Sequence, residues 1–362
     1  MGATRRICSS RQLEQEHSGI VSLVLGHLDM GDSLIGKARA TLRIRGWKTC
    51  VEKNSIKPAK LQRMNDLDRH ETELDAQAMS EAAESGEVAP APDEPRRKPP
   101  REAVAEANVR APTRGNRKLE ALLEGVNADP QVGAWWYMDQ LTSERLEMSD
   151  HSWVHVQVVL NVALRLLRLL VKGGVEPAMV ADHSMRHRDA EVVVAAGALL
   201  HDVGLSIHRA DHEAFSLFLA SRKLDELLDG VYDEPERTVV VSEALHAIIG
   251  HRRSGEPFTV EAAIVRVADA LDMARGRSRV PFESGRLNIH SLSAYAIEEV
   301  RLTPGSDKAV RVEIAMSNSA GIYQVDELLA TKLRGSPIED HVEVIARIDA
   351  EHEKRLIPVF RI

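Results

Sequence analysis

The fold depends on AEVVVAAGALLHDVG, residues 190–204, where an apolar run leads directly into His201 and Asp202. The first eleven residues are apolar on all sides of a helix, which predicts a buried, central helix. A histidine and a carboxylate are costly to bury together unless another charge compensates them. The doublet therefore indicates a helical core that presents polar groups to a partner.

Other apolar stripes predict the helices that would surround this one. They are Leu119–Val126, a second helix containing Trp135 and Trp136, Val159–Leu170 and Ile264–Leu271. No convincing pair of strands occurs between Met138 and Arg275. The sequence therefore predicts an all-helical domain over residues 117–280.

A different pattern follows Pro281. AIEEVRL, AVRVEIAMS and HVEVIARID alternate apolar and polar residues as half-buried strands do, and a helix that includes Val325 and Leu329 and ends near Gly335 separates the last two. Residues 281–362 are therefore predicted to form a small α+β module of β-β-α-β order. The expected fold class is mainly α, a helical bundle followed by this module.

The N-terminal part gives weaker signals. Residues 1–75 show mixed periodicity and are treated as an extension of unknown structure. Residues 76–116 are rich in Ala, Pro, Glu and Arg, and such a segment has too few apolar side chains to offset the entropy cost of ordering. It is predicted to be a disordered linker.

Composition limits the function classes. The net charge of −8 argues against general binding to nucleic acid or anionic membranes, and two cysteines, Cys8 and Cys50, do not make a disulfide framework. The apolar segment 158–171 is interrupted by Asn161, Arg165 and Arg168, so it is not expected to span a bilayer. These features and the lack of a clear signal peptide predict a cytoplasmic protein.

Histidines are concentrated in the helical region: nine of the 15 lie between positions 151 and 251. Neutral imidazole is the commonest metal ligand in proteins, so the cluster indicates a metal site. The pairs His151/His155 and His208/His212 are spaced to share a helix face. His183 and His187 lie in a polar stretch and are expected to be exposed.

One further helix would carry a polar stripe of Arg266, Asp269 and Asp272. Buried charges of this kind need partners. Asp272 is expected to cap its helix or to pair with Arg275.

In order along the chain, HVQVVLNVALRLL, AAGALLHDVG and VRVADALD resemble the HD superfamily of metal-dependent phosphohydrolases over about residues 130–280. The resemblance implies that His155, His201, Asp202 and Asp269 bind one metal ion.

HEAFSLFLA and AIIGHRRSG are similar to segments of dinuclear members of the superfamily, including the HD-type diadenosine tetraphosphate hydrolases. This similarity implies that Asp202 bridges to a second ion bound by His212 and His251. The cofactor would be one or two divalent transition-metal ions: Mn, Fe, Co, Ni or Zn. The Gly-Tyr-Pro signature of the cyclic-di-GMP phosphodiesterases is lacking, and the wider stretch up to MSNSAGIYQVDELL resembles uncharacterised archaeal and bacterial HD proteins.

The implied function is hydrolysis of a small phosphorylated substrate, such as a nucleotide or a related phosphate ester, by a metal-activated water. Asp202 would be central to catalysis, and His208 and His246 are candidates for protonating the leaving group or contacting phosphate. The candidate phosphate-binding residues are Arg252, Arg253, Arg275, Arg277 and Arg279.

Two alternatives remain open at this stage. One is a di-iron oxygenase built on the same fold, because the same His/Asp set can hold iron. The other is a regulatory module that binds nucleotide without turnover. The C-terminal module is a candidate for homo-oligomer formation.

Overall fold

The computed structural model describes residues 98–278, 281, 288–348 and 359–361. The extension 1–75 and residues 76–97 of the predicted linker lie outside this part of the chain. For residues 98–116 the prediction of disorder is wrong. Pro100–Glu106 form a helix, and Val109 is buried, with its N–H and C=O bonded to the side chain of Asn127 at 2.9 and 2.8 Å. The segment itself has few apolar side chains, but its contacts with the bundle stabilise an ordered conformation.

The bundle is built from helices in the following order: α1 Pro100–Glu106, α2 Arg117–Ala128, α3 Pro130–Arg145, α4 Trp153–Lys172, α5 Ala178–Ala181, α6 His187–Leu200, α7 His212–Leu228, α8 Glu236–Gly250, α9 Val260–Leu271 and α10 Ile289–Tyr295. Side chains of Ser152 and Thr259 cap the N-termini of α4 and α9.

Helix α6 is central, as predicted, and nearly all of it is buried. It packs against α4, α8 and α9. A Cβ at Gly197 would lie 2.9 Å from the Cβ of Ala247 and 3.1 Å from Val265, so the glycine allows α8 and α9 to approach closely. This packing brings the ends of several helices to the residues that follow α6.

Helix α4 is long and apolar enough, with a mean hydropathy of 1.7, to cross a membrane by length and composition alone. Half of that window is buried inside the protein, and α4 packs on α6 and α9. The core helix of a globular domain meets the same criterion, so this is weak evidence for a membrane span.

The C-terminal module contains a sheet of four strands in sequence order: β1 Ile297–Pro304, β2 Val310–Met316, β3 Val342–Ile348 and β4 Val359–Arg361. β1–β2 and β3–β4 are antiparallel, and β2–β3 are parallel. A π-helical segment, Gln324–Ala330, continuing into the short turn Thr331–Leu333, makes the crossover between the parallel strands. The predicted fold class, a helical bundle followed by a small α+β module, is confirmed; β4 was not predicted.

Polar contacts join this module to the bundle. The guanidinium of Arg165 in α4 donates to the carbonyl of Leu302 in β1 from Nε at 2.9 Å. Arg266 of α9 is buried and donates to the carbonyl oxygens of Arg253 at 3.1 Å and Thr331 at 3.4 Å. The crossover segment is thereby held beside α9.

Candidate metal centre

The turn after α6 positions the His201–Asp202 doublet. Ser216 of α7 donates its hydroxyl to the carbonyl of His201 at 2.7 Å and accepts the N–H of Gly204 at 2.9 Å. A Cβ at Gly204 would lie 1.9 Å from the carbonyl oxygen of His212, so only glycine leaves room for the start of α7. The N-terminus of α7 is therefore packed directly on the doublet.

A first group of ligand-type atoms comes from three separate elements. His155 lies on α4, His201 follows α6, and Asp269 lies on α9. Nε2 of His155 is 3.2 Å from Nε2 of His201 and 3.4 Å from Oδ1 of Asp269, and the distance from His201 to Asp269 is 3.9 Å. Both histidines are buried and Asp269 is largely so.

A second group lies on the other side of Asp202. Oδ1 of Asp202 is 3.2 Å from Nε2 of His212, the first residue of α7, and 3.5 Å from Nε2 of His251, which follows α8. Its other oxygen, Oδ2, is 3.4 Å from His155 and 3.2 Å from His201. The Asp202 carboxylate therefore lies between the two groups, with one oxygen toward each.

A hydrogen bond at Nδ1 fixes the ring orientation of each histidine in the two groups. Each has Nδ1 next to an oxygen that only accepts, so Nδ1 donates its proton there and Nε2 is turned toward the carboxylates; Nη1 of Arg277 and of Arg209 also lies against Nδ1 of His155 and of His212. His201 donates to the carbonyl oxygen of Ala198 at 2.8 Å, and His212 to that of Arg209 at 3.1 Å. His251 donates to the carbonyl oxygen of Ile248 at 2.5 Å, and His155 to the carboxylate of Asp272 at 2.7 Å. Outer hydrogen bonds of this type fix metal-ligating imidazoles.

The donor set fits metal ions. Two ligand atoms bound to one ion at about 2.1 Å lie roughly 3.0–3.4 Å apart at tetrahedral or octahedral angles. The distances within the two groups run from 3.2 to 3.9 Å. Nε2 of His155 and Nε2 of His201 lie 3.2 Å apart, so a cation that displaces the proton between them would be bound by both nitrogens.

Electrostatics inside the cluster are strongly coupled. Burial alone would raise the pKa of Asp202, but the surrounding imidazoles, His201 first, hold it well below its ordinary range. Burial opposes ionisation of Asp269 too, and the Lys332 ammonium and the imidazole of His155 hold its pKa well below its ordinary range. The carboxylates raise the pKa of His155 well above its ordinary value despite burial. Both aspartates are thus anionic and ready to bind a cation.

His151 reaches the cluster in a way its spacing did not indicate. The two pairs predicted to share a helix face do not, because His151 precedes α4 and His208 precedes α7. Burial lowers the pKa of His151 to about 4, so its ring is neutral. Its Nδ1 donates to the carbonyl of Ser149 at 2.6 Å, and its Nε2 accepts from Arg277 at 3.1 Å.

Asp272 is the C-terminal cap residue of α9, as one of the two expectations had it, but its side chain has other partners than Arg275. It pairs with Nδ1 of His155 and with Arg277 at 3.0 Å, rather than with Arg275. Arg275 instead lies over the ring of Tyr295 and donates to that residue's carbonyl. The prediction that Arg275 binds phosphate therefore finds no support, whereas Arg277 lies at the cluster.

The other predicted phosphate-binding arginines pair with carboxylates that are not in the two ligand groups, or lie outside the described residues. Arg252 is 3.5 Å from Asp211, and the exposed Arg253 is 3.5 Å from Glu327. Arg279 is outside the described residues.

The structure does not bring His208 or His246 to the cluster. His208 is exposed, and its Nδ1 accepts the N–H of Ala210 at 3.0 Å. His246 stacks on Phe258 with ring centroids 3.7 Å apart and accepts that residue's N–H. Their predicted catalytic roles are therefore corrected. His183 and His187 are exposed, as expected from their polar surroundings.

Two groups at the site gave no signal in the sequence. Lys332, in the turn that ends the crossover of the module, forms an ion pair with Oδ2 of Asp269. Asp139 of α3 is fully buried, and burial together with the nearby Asp202 raises its pKa well above its ordinary value. A long-range contact and a buried carboxyl leave no trace in local residue patterns.

A cleft of about 310 Å³ opens beside Asp269. Its walls come from α9, the turn after it, α10, the crossover segment and the residues just before α4 and α7, and they mix charged, polar and apolar side chains. The charged ones are Arg209, Asp269, Asp272, Arg277 and Lys332. The cleft gives a small molecule access to the first group of ligand atoms.

Comparisons with known proteins agree with this geometry. A family model described as HD domain matches residues 159–274. This range includes every residue of the two ligand groups except His155. An uncharacterised protein of Methanocaldococcus jannaschii is 39% identical over 207 residues, which cover 57% of this chain and 80% of that protein. No solved structure matches.

Proposed function

Because the chain belongs to the HD domain family, we propose that it is a metal-dependent phosphohydrolase acting on a nucleotide or a related small phosphate ester. The observation that supports this most directly is the position of Asp202, whose two oxygens face two groups of oriented imidazole nitrogens. A carboxylate between two ligand sets is the arrangement that two-metal hydrolytic sites use.

His155, His201 and Asp269 would hold one ion, and His212 and His251 the other, with Asp202 shared. When bound, a divalent transition-metal ion supplies Lewis acidity and makes a bound water a nucleophile at neutral pH.

The residues of the chain itself have separate tasks. Asp272 accepts the Nδ1 proton of His155, which fixes the tautomer and raises the basicity of Nε2. Arg277, largely buried at the cleft, presents N–H groups that stabilise negative charge on a substrate oxygen. Since the cluster is buried, these interactions act in a medium that strengthens them.

Elemental analysis and a substrate screen test the proposal. The protein loaded with Mn, Fe, Co or Ni is expected to release phosphate or a nucleoside from at least one member of a broad panel of phosphate esters. Asp202→Asn should abolish that release. His246→Ala, remote from the cluster, should retain it.

Absence of any product at full metal occupancy would refute the proposal. Substrate-dependent oxygen uptake by the iron-loaded protein would replace it with oxygenase chemistry.

A further inference from the structure

Lys332 belongs to the C-terminal module yet lies at the proposed metal centre. Its ammonium contacts Oδ2 of Asp269, the oxygen that does not face His155, and its side chain is only 16% exposed. A lysine that folding brings so close to a cluster of ligand-type atoms is well placed to act on whatever that cluster binds. The contact joins residues 63 positions apart.

The backbone before Lys332 is held in place. Gln324, at the start of the π-helical segment, is buried, and its amide donates to the carbonyl of His290 at 3.0 Å and to the hydroxyl of Ser293 at 2.8 Å. Arg266 donates to the carbonyl of Thr331, immediately before Lys332. π-Helical turns are rare and frequently occur at functional sites.

The cleft beside Lys332 has the chemistry of a small anion site. Arg277 and Lys332 both line it, and Asp269 and Asp272 are the acidic side chains there. Under the proposed function Asp269 is used by a metal ion and Asp272 by His155. The cations are then the charges left to meet a ligand. Arg209 is exposed, whereas Arg277 and Lys332 are held against the cluster carboxylates.

The size and apolar lining of the cleft limit the ligand further. Met273 and Leu328 contribute apolar surface next to the charged groups. The volume of about 310 Å³ is at the small end of ligand sites, which span about 300–1,000 Å³. One anionic group joined to one compact organic group fits this space.

We infer that Lys332, together with Arg277, binds the terminal phosphate of a small phosphomonoester, so that the α+β module completes the substrate site. This inference rests on the proposed function and names its substrate class. A terminal phosphate carries more negative charge than a phosphodiester does and presents more free oxygens. Two fixed cations therefore favour the monoester.

Calorimetric titration of the metal-loaded full-length protein with inorganic phosphate tests the inference, and dimethyl phosphate serves as the diester probe. Lys332→Met should weaken phosphate binding roughly ten- to a hundredfold, the range expected for a lost charge-assisted hydrogen bond. Lys332→Arg should restore most of it. The exposed Lys172→Met, at the far end of α4, is the matched control and should bind as the unaltered protein does.

Metal content and thermal unfolding distinguish a role of Lys332 in phosphate binding from a role in holding Asp269 in place for the metal. We expect Lys332→Met to keep its metal ions and to fold, with a raised KM and a smaller change in kcat for any ester that is hydrolysed. Unchanged phosphate binding, loss of metal in Lys332→Met, or tighter binding of dimethyl phosphate than of phosphate would overturn the inference. Phosphate binding that depends on Lys332 without hydrolysis of any ester would refute the proposed function and leave this anion site standing.

Discussion

Replacing Gly204 by alanine tests how the doublet and α7 fit together. The new Cβ would lie 1.9 Å from the carbonyl oxygen of His212, and real Cβ atoms essentially never approach another atom closer than 3.0 Å. The backbone at the start of α7 must therefore retreat by about 1.1 Å, since overpacked atoms are accommodated by backbone shifts. That shift would lengthen the 3.2 Å distance from His212 to Asp202 to about 4 Å, too far for one ion to bind both well.

The expected result has two parts. Gly204→Ala should lower the free energy of unfolding by about 1–3 kcal/mol, the usual cost of overpacking. It should also lower the metal content by about one ion per chain and the activity by about a hundredfold, because a 1 Å misplacement costs roughly that much. Urea unfolding, elemental analysis and phosphate release measure these three quantities.

Gly125→Ala in α2 is the matched control. Its new Cβ would meet only the flexible end of Leu227, at 3.2 Å, so metal content should be unchanged and stability should be unchanged or raised by up to about 1 kcal/mol, the gain in helix propensity. If Gly204→Ala matched this control in stability and in metal content, the reasoning about the packed turn would be refuted.

Further outcomes follow from the cluster. Asp202→Asn should lower binding at both metal positions, whereas His212→Ala should lose chiefly one; elemental analysis that finds both ions in Asp202→Asn would contradict the shared-carboxylate assignment. Asp272→Asn should weaken metal affinity about 10- to 100-fold, measured by competition with a chelator, because it removes the charge that orients His155. Since the pKa of His155 is raised by its carboxylate neighbours, metal must displace a proton from it at neutral pH. Metal affinity should therefore fall as the pH falls, and calorimetry in buffers of different ionisation enthalpy should show proton release; binding without proton release would contradict this.

The sequence predicted the helical core and the order of the C-terminal module because both depend on local periodicity. The concentration of histidines indicated a metal site, and the resemblance to the HD superfamily implied Asp202 and the residues that the structure gathers around it. The Nδ1 acceptors are mostly backbone carbonyls, which residue types do not reveal. The wrong choices, His208 and His246, lie close to cluster residues along the chain, but a few residues of turn or helix direct them elsewhere.

The choice between Arg275 and Arg277 shows the same limit. Both lie in one short turn, but the first lies over the ring of Tyr295 and the second meets Asp272, and residue types do not show which does which. Order in residues 98–116 likewise depends on Asn127, a partner outside the segment. The composition of a segment does not include the hydrogen bonds and packing contacts that residues elsewhere in the chain provide.

The hydrogen bonds from Arg165 and Arg266 to the module have a consequence for dissecting this protein. A fragment that stops before β1 would leave two guanidinium groups and Asp269 without partners they have in the whole chain. Arg165 is exposed, but an uncompensated charge at the buried Arg266 or the largely buried Asp269 is destabilising. The helical part alone is therefore a poor minimal domain for expression, and loss of activity in a truncated version would combine the effect of lost packing with the loss of Lys332 from the site.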